Sequence, residues 1–317
     1  MTVSKDPTAQ YAQQIISQVR RVVVGKDETL LWVLATVLAG GHILLEDLPG
    51  MGKTTMALAF SKVLGLQCNR MQFTPDVLPS DVTGYTVLET GTGKMIYRPG
   101  AVLCNLFLAD ELNRATSRTQ SALLEAMEEG QVTVDGVSHP IPQPFTVIAT
   151  QNPTGAAGTQ RLPDSQLDRF MVRLSLGYPN VRDEISMVLS RQKADPLEQL
   201  QPLLNTETLL ELRRLVADTY IKNEVVKYIV ELSTATRKHP DILQGASPRA
   251  TLSVASMSKA IARLQGRDYV IPEDVRSVFV GTVAHRIFLN AGAIGRGQTC
   301  EEVLKEILNS VKLPKLS

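Results

Sequence analysis

The sequence predicts an α/β protein in which a parallel sheet flanked by helices is followed by an all-α region. Short apolar segments alternate with helical patterns between residues 42 and 176, which is typical of a parallel sheet. A glycine-rich loop at 49–52 joins the first of these strands to a helix. Beyond Tyr178 and Pro179 only helical patterns follow. In such a fold, chemistry is expected at the carboxyl ends of the strands.

The predicted sheet has five strands, each a short apolar run. They are residues 42–45, 70–73, 105–109, 145–150 and 172–176. Helices are predicted at 54–64 and 117–129, and in the second of these Leu123 and Met127 share one apolar face.

Two segments interrupt this alternation and are predicted to be β-hairpin insertions. Residues 82–98 contain the turn-rich Gly91-Thr92-Gly93, and residues 132–141 contain Asp135-Gly136, a strong hairpin signal.

The C-terminal part of the chain is predicted to be helical throughout. The helices are expected at 182–192, 206–217, 223–239, 248–264 and 272–288. Ser247-Pro248 is a helix start with an N-cap and a first-turn proline. The change of pattern predicts two domains, 1–190 and 191–317, with a joint at 195–202.

Composition limits the class of protein without naming a function. The 317 residues are 44% hydrophobic and 21% charged, as in ordinary globular proteins. A net charge of +1 gives no field that would concentrate nucleic acid or an anionic membrane, which disfavours nucleic acid as the principal substrate.

The cysteines and the apolar runs favour a cytoplasmic location. Cys68, Cys104 and Cys300 are far apart and form no disulfide framework. The first residues lack the apolar core of a signal peptide. The longest uncharged run, 30–45, is shorter than the roughly 20 residues that a spanning helix needs, so no membrane span is expected.

The segment 43–55 has the strand, glycine loop and helix of a phosphate-binding loop. Its backbone N–H groups and helix N-terminus favour phosphate, Lys53 would reach the β- and γ-phosphates, and the Thr54 hydroxyl would ligate Mg²⁺. The residues predicted to bind nucleotide are Pro49, Gly50, Met51, Gly52, Lys53, Thr54 and Thr55. The pattern G-x-x-x-x-G-K-[ST] has glycine where this chain has Asp47. The alternative is a chance Gly-Lys-Thr that opens an ordinary helix.

A second motif is the apolar strand 106–109 that ends in Asp110 and Glu111. Asp110 would hold Mg²⁺ and Glu111 would polarise the water that attacks the γ-phosphate. Alone, such a pair is usually a solvated turn or a helix cap, but its combination with the phosphate-binding loop favours the catalytic interpretation.

Three further residues are candidates for sensing or stabilising the γ-phosphate. Asn152 follows the strand 145–150 and would orient the attacking water, unless it only forms a turn before Pro153. Arg169 would reach the γ-phosphate of a neighbouring subunit, unless it forms a surface ion pair with Asp168. Arg249 would respond to the nucleotide state from the helical domain, unless it too forms a surface ion pair.

The histidines are not expected to bind a ligand. They are widely spaced and have no ligand-like neighbours, so structural roles are predicted. They are His42, His139, His239 and His285.

With these residues in place, the chain resembles the MoxR family of AAA+ ATPases over nearly its whole length. The resemblance is carried by several long motifs. They are QFTPDVLPSDVTG at 72–84, ADELNRATSRTQSALLEAMEE at 109–129, ATQNP at 149–153, QLDRF at 166–170 and GASPRA at 245–250.

The resemblance implies an α/β P-loop AAA+ core, an all-α lid domain, and Mg²⁺-dependent ATP hydrolysis at the interfaces of a ring that is usually hexameric. It implies ATP and ADP as ligands and a client protein complex, in some relatives one with a von Willebrand factor A domain. It also implies that segments 82–98 and 132–141 are inserts able to face the ring centre or a client.

Residue roles follow from the matching motifs. Lys53 and Thr54 correspond to Walker A, Asp110 and Glu111 to Walker B, Asn152 to sensor 1, Arg169 to the arginine finger and Arg249 to sensor 2. Arg114 is a candidate second interface arginine. The chain departs from many relatives at 115–117 and 159–161, away from the phosphate-binding groups.

Two other functions remain open at this stage. A nucleic-acid remodelling motor would share the hairpins, although the segment 132–141 contains no lysine or arginine. A nucleotide-gated scaffold would bind ATP with little turnover, but it would need neither Glu111 nor Arg169.

Overall fold

The structure is a computed structural model that describes residues 6–48, 50–152, 162–190 and 195–314. The described strands, numbered along the chain, are β1 Ile43–Glu46, β2 Cys68–Gln72, β3 Gly84–Leu88, β4 Met95–Pro99, β5 Leu106–Asp110, β6 Gln131–Val134, β7 Val137–Pro140, β8 Thr146–Gln151, β9 Val172–Leu174, β10 Ile242–Gln244 and β11 Phe288–Leu289.

The helices in the same ranges surround the sheet and form most of the C-terminal part. They are α1 Pro7–Arg20, α2 Asp27–Leu38, α3 Lys53–Val63, α4 Pro79–Thr83, α5 Ser117–Glu129, α6 Asp164–Leu167, α7 Val181–Ser190, α8 Thr206–Ala217, α9 Asn223–Lys238, α10 Pro248–Leu264, α11 Pro272–Val283, α12 Ala291–Gly295 and α13 Cys300–Ser310.

The central sheet has the strand order β2-β5-β8-β1-β9, and every neighbouring pair is parallel. This confirms the predicted α/β fold with a parallel sheet flanked by helices and a helical C-terminal region. Because β5, β8 and β1 are neighbours, their carboxyl ends lie together at one edge of the sheet. That edge carries the predicted phosphate-binding loop and the predicted acidic pair.

Two apolar layers cover the two faces of the sheet. Side chains alternate along the strands, so Leu45 and Ile148 pack into one layer while Leu44 and Ala149 pack into the other. The first layer continues without interruption into the C-terminal helices, where it includes Phe279. The predicted division into domains 1–190 and 191–317 therefore stays a prediction, with a shared core across it.

Both predicted hairpins are present and contact each other. β3 pairs with β4 and β6 pairs with β7, each antiparallel. The rings of Tyr97 and His139 stack with centroids 3.6 Å apart, and the Thr86 hydroxyl donates a hydrogen bond to Asp135. The first hairpin starts later than predicted, because residues 79–83 form α4.

The prediction that strands stop after residue 179 was wrong, because β10 and β11 form a small antiparallel sheet. The predicted helix 272–288 was also too long, since α11 ends at Val283 and a 3-10 turn follows at Ala284–Arg286. In that turn the Arg286 guanidinium donates to the carbonyl oxygen of Phe170 at 2.6 Å, and His285 Nε2 lies 2.9 Å from the same oxygen. These tertiary hydrogen bonds end the helix at this point, and helical periodicity in the sequence cannot reveal them.

His42 links three elements through its buried ring. Its Nδ1 accepts the Val147 N–H of β8 at 3.0 Å, so Nε2 carries the proton and donates to the Met127 carbonyl of α5 at 3.2 Å. Burial lowers the pKa of His42 to about 4, and the ring is neutral. With His285 also buried, His139 stacked on Tyr97 and His239 accepting the Asp241 N–H, all four histidines make structural contacts.

Across the parts of the chain that the structure describes, no helix has both the length and the apolar character needed to span a membrane.

Candidate active site

The glycine loop connects β1 to α3 in a conformation that requires glycine. Gly50 and Gly52 have φ values of 86° and 83°, in the left-handed region that side-chain-bearing residues rarely adopt. A Cβ at either position would meet nothing within 4 Å, so the backbone angles and not crowding make glycine necessary. Pro49, predicted to bind nucleotide, lies outside the described residues. Gly52 is the N-cap of α3, which places the positive end of the helix at the loop.

Lys53, the first residue of α3, is held at the base of the loop. It is only 7% exposed, and its Nζ donates a hydrogen bond to the backbone oxygen of Asp47 at 2.7 Å. Burial lowers the pKa of Lys53, while the carboxylates of Asp47, Asp110 and Glu111 oppose that shift. The Lys53 ammonium group is therefore close to three carboxylates, and a bound phosphate would be close to the same groups.

Asp110, at the end of β5, is surrounded by hydrogen-bond donors. Its Oδ1 accepts the Thr150 hydroxyl at 2.6 Å, and its Oδ2 accepts both the Arg70 guanidinium at 2.8 Å and the Thr54 hydroxyl at 3.3 Å. Burial raises the pKa of Asp110, but hydrogen bonds from Thr150 and Arg70 outweigh it and lower the pKa below its usual value. The carboxylate is therefore ionised at neutral pH.

Glu111 follows with an unusual backbone conformation. Its φ of 56° is in the left-handed region, which costs a residue with a side chain about 1–3 kcal/mol and is commonly found at functional sites. Its N–H donates to the Thr150 hydroxyl at 2.9 Å. The carboxylate accepts Arg114 at 2.7 Å and the Asn152 amide at 3.3 Å. The Arg114 hydrogen bond lowers the pKa of Glu111, so the group is an ionised proton acceptor.

These residues surround one cavity of about 580 Å³. Its lining includes the polar side chains of Lys53, Thr54, Arg70, Asp110, Glu111 and Asn152. Gly50, Met51, Gly52 and Thr55 of the predicted nucleotide-binding set also line it. The structure thus brings together every described residue of the predicted Walker A, Walker B and sensor 1 motifs.

The cavity is also lined by residues that sequence reasoning did not single out. Its walls include Val22, Val23 and Val24 from the loop between α1 and α2, together with Tyr178 and Pro179 and with Met187 of α7. Lys26 and Glu184 line the cavity as well. Apolar side chains in the same cavity as a phosphate loop suit a nucleobase. The sequence signal for this wall was the apolar run Val22-Val23-Val24 followed by Gly25. It predicts a loop only when the helices on both sides are known.

Arg169 and Arg249 lie together but not at this cavity. Arg169 NH1 is 2.9 Å from the Glu128 carboxylate and donates to the Leu124 carbonyl at 2.6 Å. Arg249 pairs with the same Glu128 and is 3.9 Å from Asp168. Arg169 therefore forms its ion pair with Glu128, which it shares with Arg249, and not with Asp168 as the alternative interpretation expected. Arg114, the candidate second interface arginine, instead contacts Glu111 of its own chain.

Two side-chain oxygen atoms beside the cavity are suited to bind Mg²⁺. Mg²⁺ typically takes one or two protein ligands and completes its shell with waters and phosphate oxygens. Thr54 Oγ1 and Asp110 Oδ2, 3.3 Å apart beside the cavity, supply that number. Across the described ranges, no group of three or more His, Cys, Asp or Glu side chains could hold a metal ion by itself. The donor set thus suits a metal that arrives with a nucleotide.

Comparisons with known proteins agree with this geometry. Residues 42–172 match the ATPase family associated with various cellular activities (AAA), and residues 234–307 match the AAA lid domain. The fold and the site therefore define a P-loop AAA+ ATPase, an enzyme that hydrolyses ATP.

Near-full-length relatives identify the family. The chain is 44% identical over 94% of its length to the uncharacterized protein YeaC of Bacillus subtilis, covering 93% of that protein. It is 36% identical over 96% of its length to the chaperone MoxR1 of Mycobacterium tuberculosis, covering 83% of that protein. A crystal structure of a candidate ATPase from Cytophaga hutchinsonii matches with a TM-score of 0.89 and 36% identity, covering 97% of this chain and 96% of that one. The chain belongs to the MoxR family of AAA+ ATPases.

Proposed function

We propose that this ATPase works with Mg²⁺ in a homo-oligomeric ring and uses hydrolysis to remodel or activate partner protein complexes. The observation that carries the catalytic part is the convergence of Lys53, Asp110, Glu111 and Asn152 on one cavity. The relative named as a chaperone supports the remodelling part.

The polar residues of the cavity have different catalytic roles. The loop N–H groups and Lys53 bind the β- and γ-phosphates. To do so, the Lys53 ammonium gives up its hydrogen bond to the Asp47 carbonyl oxygen and donates to phosphate oxygens. Asn152 holds the Glu111 carboxylate and is placed to orient a water. Glu111 accepts the proton of that water as it attacks. Held by Thr54 and Asp110, Mg²⁺ would neutralise charge on the phosphate oxygens.

The position of Arg169 and Arg249 supports a ring. Both are absent from the lining of their own chain's cavity, and both are balanced by one carboxylate, Glu128. An arginine that stabilises transition-state charge must contact the γ-phosphate. We therefore assign Arg169 to the site of a neighbouring copy, in a ring that the family resemblance expects to be a hexamer, and we keep Arg249 as a nucleotide sensor carried by the helical region.

The joined hairpins are the proposed client-contact surface. Leu88, Met95 and Val137 are 62%, 62% and 57% exposed, which is unusual for large apolar side chains grouped on two contacting hairpins. Exposed apolar side chains suit a polypeptide better than a nucleic acid, whose binding needs cationic groups. A complex containing a von Willebrand factor A domain, in the cytoplasm, is the partner expected from the family resemblance.

The division of catalytic roles is tested by two variants and one control. Lys53→Ala should weaken MgATP binding, because it removes the phosphate-binding cation. Glu111→Gln should retain MgATP binding and lose turnover, because the amide cannot accept a proton. Glu125→Gln, an exposed carboxylate on α5, should behave as wild type. Calorimetric titration and phosphate release give the two readouts, and equal loss of ATP affinity in Lys53→Ala and Glu111→Gln would contradict the assignment.

A further inference from the structure

Asp47 stands where the general phosphate-loop pattern has glycine, and its backbone does not need glycine. Positive φ values among non-glycine residues are confined, in the described ranges, to Glu111 and Asp135. The Asp47 side chain is nonetheless buried, with 6% exposure. A buried carboxylate costs free energy unless it is hydrogen-bonded, so its partners indicate what it does.

Three donors from one short segment satisfy that carboxylate. Oδ1 accepts the Ser175 hydroxyl at 2.6 Å and the Gly177 N–H at 3.0 Å, and Oδ2 accepts the Leu176 N–H at 2.7 Å. The parallel pairing of β1 with β9 ends at Leu45 and Leu174. Beyond these residues, hydrogen bonds to the Asp47 side chain hold residues 175–177 next to the end of β1 in place of backbone pairing.

The segment that Asp47 holds becomes a wall of the nucleotide cavity. Gly177, Tyr178 and Pro179 line the cavity directly after the residues that contact Asp47, and Met187 of α7 lines it further on. The backbone oxygen of the same Asp47 accepts the Lys53 ammonium. One residue thus contacts both the phosphate-binding lysine and a wall of the same cavity.

We propose that Asp47 is a positioning residue that fixes the wall at Gly177, Tyr178 and Pro179 relative to the phosphate loop. With this wall in place, the cavity binds the nucleoside part of ATP together with its phosphates. With glycine at position 47, the loop itself would be intact, but the N–H groups of Leu176 and Gly177 would lose their acceptor and the wall would lose its attachment. The proposal rests on the ATP site described above.

The test is Asp47→Gly, which restores the general loop pattern. We expect the KM and the Kd for MgATP to rise roughly 10- to 100-fold, because charge-assisted hydrogen bonds that order the wall are lost. We expect kcat to change by less than about threefold, since no group assigned to the chemistry is altered. The Ki of inorganic tripolyphosphate, measured as a competitive inhibitor, should not rise by more than about twofold, because it has no nucleoside and because loss of the Asp47 charge beside Lys53 does not weaken phosphate binding.

Milder variants and a control separate positioning from misfolding. Ser175→Ala removes one of the three donors and should give a smaller rise in KM of the same kind. Asp47→Asn keeps an acceptor oxygen and should give an intermediate KM. Asp218→Gly, at an exposed residue outside the cavity lining, should leave both constants unchanged.

Two results would overturn the proposal. One is wild-type affinity for MgATP in both Asp47→Gly and Ser175→Ala. The other is a loss of tripolyphosphate affinity as large as the loss for ATP, which would show that Asp47 acts on the phosphate loop alone. Absence of ATP binding in the wild-type chain would instead contradict the proposed function, so the two failures are distinguishable.

Discussion

Asp110 shares one oxygen, Oδ2, between Arg70 and Thr54. Thr54 is a predicted Mg²⁺ ligand, whereas Arg70 is a cation that competes for the same carboxylate. The side chain of Arg70 is 47% exposed, so it is free to move toward the solvent side of the cavity. The ion pair therefore neutralises part of the Asp110 charge that the proposed Mg²⁺ would otherwise use.

Removal of Arg70 should strengthen the response to metal. In Arg70→Ala we expect the Mg²⁺ concentration that half-saturates ADP binding to fall about two- to fivefold, because a partly exposed ion pair is worth up to about 1 kcal/mol. Arg70→Lys keeps the charge and should remain near wild type. Titration of Mg²⁺ at fixed ADP gives the measurement. A higher Mg²⁺ requirement in Arg70→Ala would show that Arg70 supports nucleotide binding instead.

At the scale of single residues, the sequence predicts one set of placements and misses another. Lys53, Thr54, Asp110 and Asn152 follow or end strands, and parallel strands bring their ends to one edge, so their meeting was predictable. The partners of Asp47 and the position of Arg70 depend on which strands are neighbours in space. Strand order is not encoded in local periodicity, so these contacts were not predictable.

At the scale of elements, His42 should make stability depend on pH. Its folded-state pKa is about 4, below the value of about 6.5 expected in the unfolded chain. As pH falls below about 6.5 the unfolded chain takes up a proton that the folded protein does not, so the free energy of unfolding decreases until about pH 4. Burial lowers the pKa of His285 as well, which adds to the same slope.

The measurement is denaturant unfolding between pH 7 and pH 4. We expect His42 to account for a loss of roughly 3 kcal/mol over this range, at about 1.4 kcal/mol per pKa unit. His42→Gln should be less stable at pH 7, where it disturbs the contacts with Met127 and Val147, yet show a shallower decrease with acid. His239→Gln, at a partly exposed ring, is the control. An unchanged slope in His42→Gln would contradict this origin of the pH dependence.

Elements with clear boundaries were predicted well, and the others failed for identifiable reasons. α5, α8 and α10 begin and end at the predicted residues, and the start of α10 also had the Ser247-Pro248 cap as a signal. β11 is two residues long, so it has no alternation to detect. The end of α11 is set by contacts of His285 and Arg286 with Phe170, which lies far away in sequence.

At the scale of the whole molecule, the shared Glu128 predicts complementation between chains. Arg169→Ala should leave nucleotide binding largely intact and reduce hydrolysis by on the order of 10³-fold, as for other arginine fingers. Mixing it with Glu111→Gln should restore part of the activity, because some sites then combine an intact Glu111 with an intact Arg169 from the neighbour. Arg118→Ala, an exposed arginine on α5, should behave as wild type.

The mixed assembly is measured by phosphate release at several ratios of the two variants. Activity should pass through a maximum at intermediate ratios. A profile with no maximum, at concentrations where wild-type chains assemble, would indicate that each chain completes its own site.

The apolar layer that runs from the sheet into the C-terminal helices limits how this molecule can change shape. A hinge opening between the two regions would separate α11 from β9, which pack together and carry the fully buried Phe279 and Val172. Sliding of packed helices, by roughly 1–2 Å, keeps such contacts and is a common mode of conformational change. We therefore expect ATP turnover in this chain to be coupled to small shear displacements of packed helices.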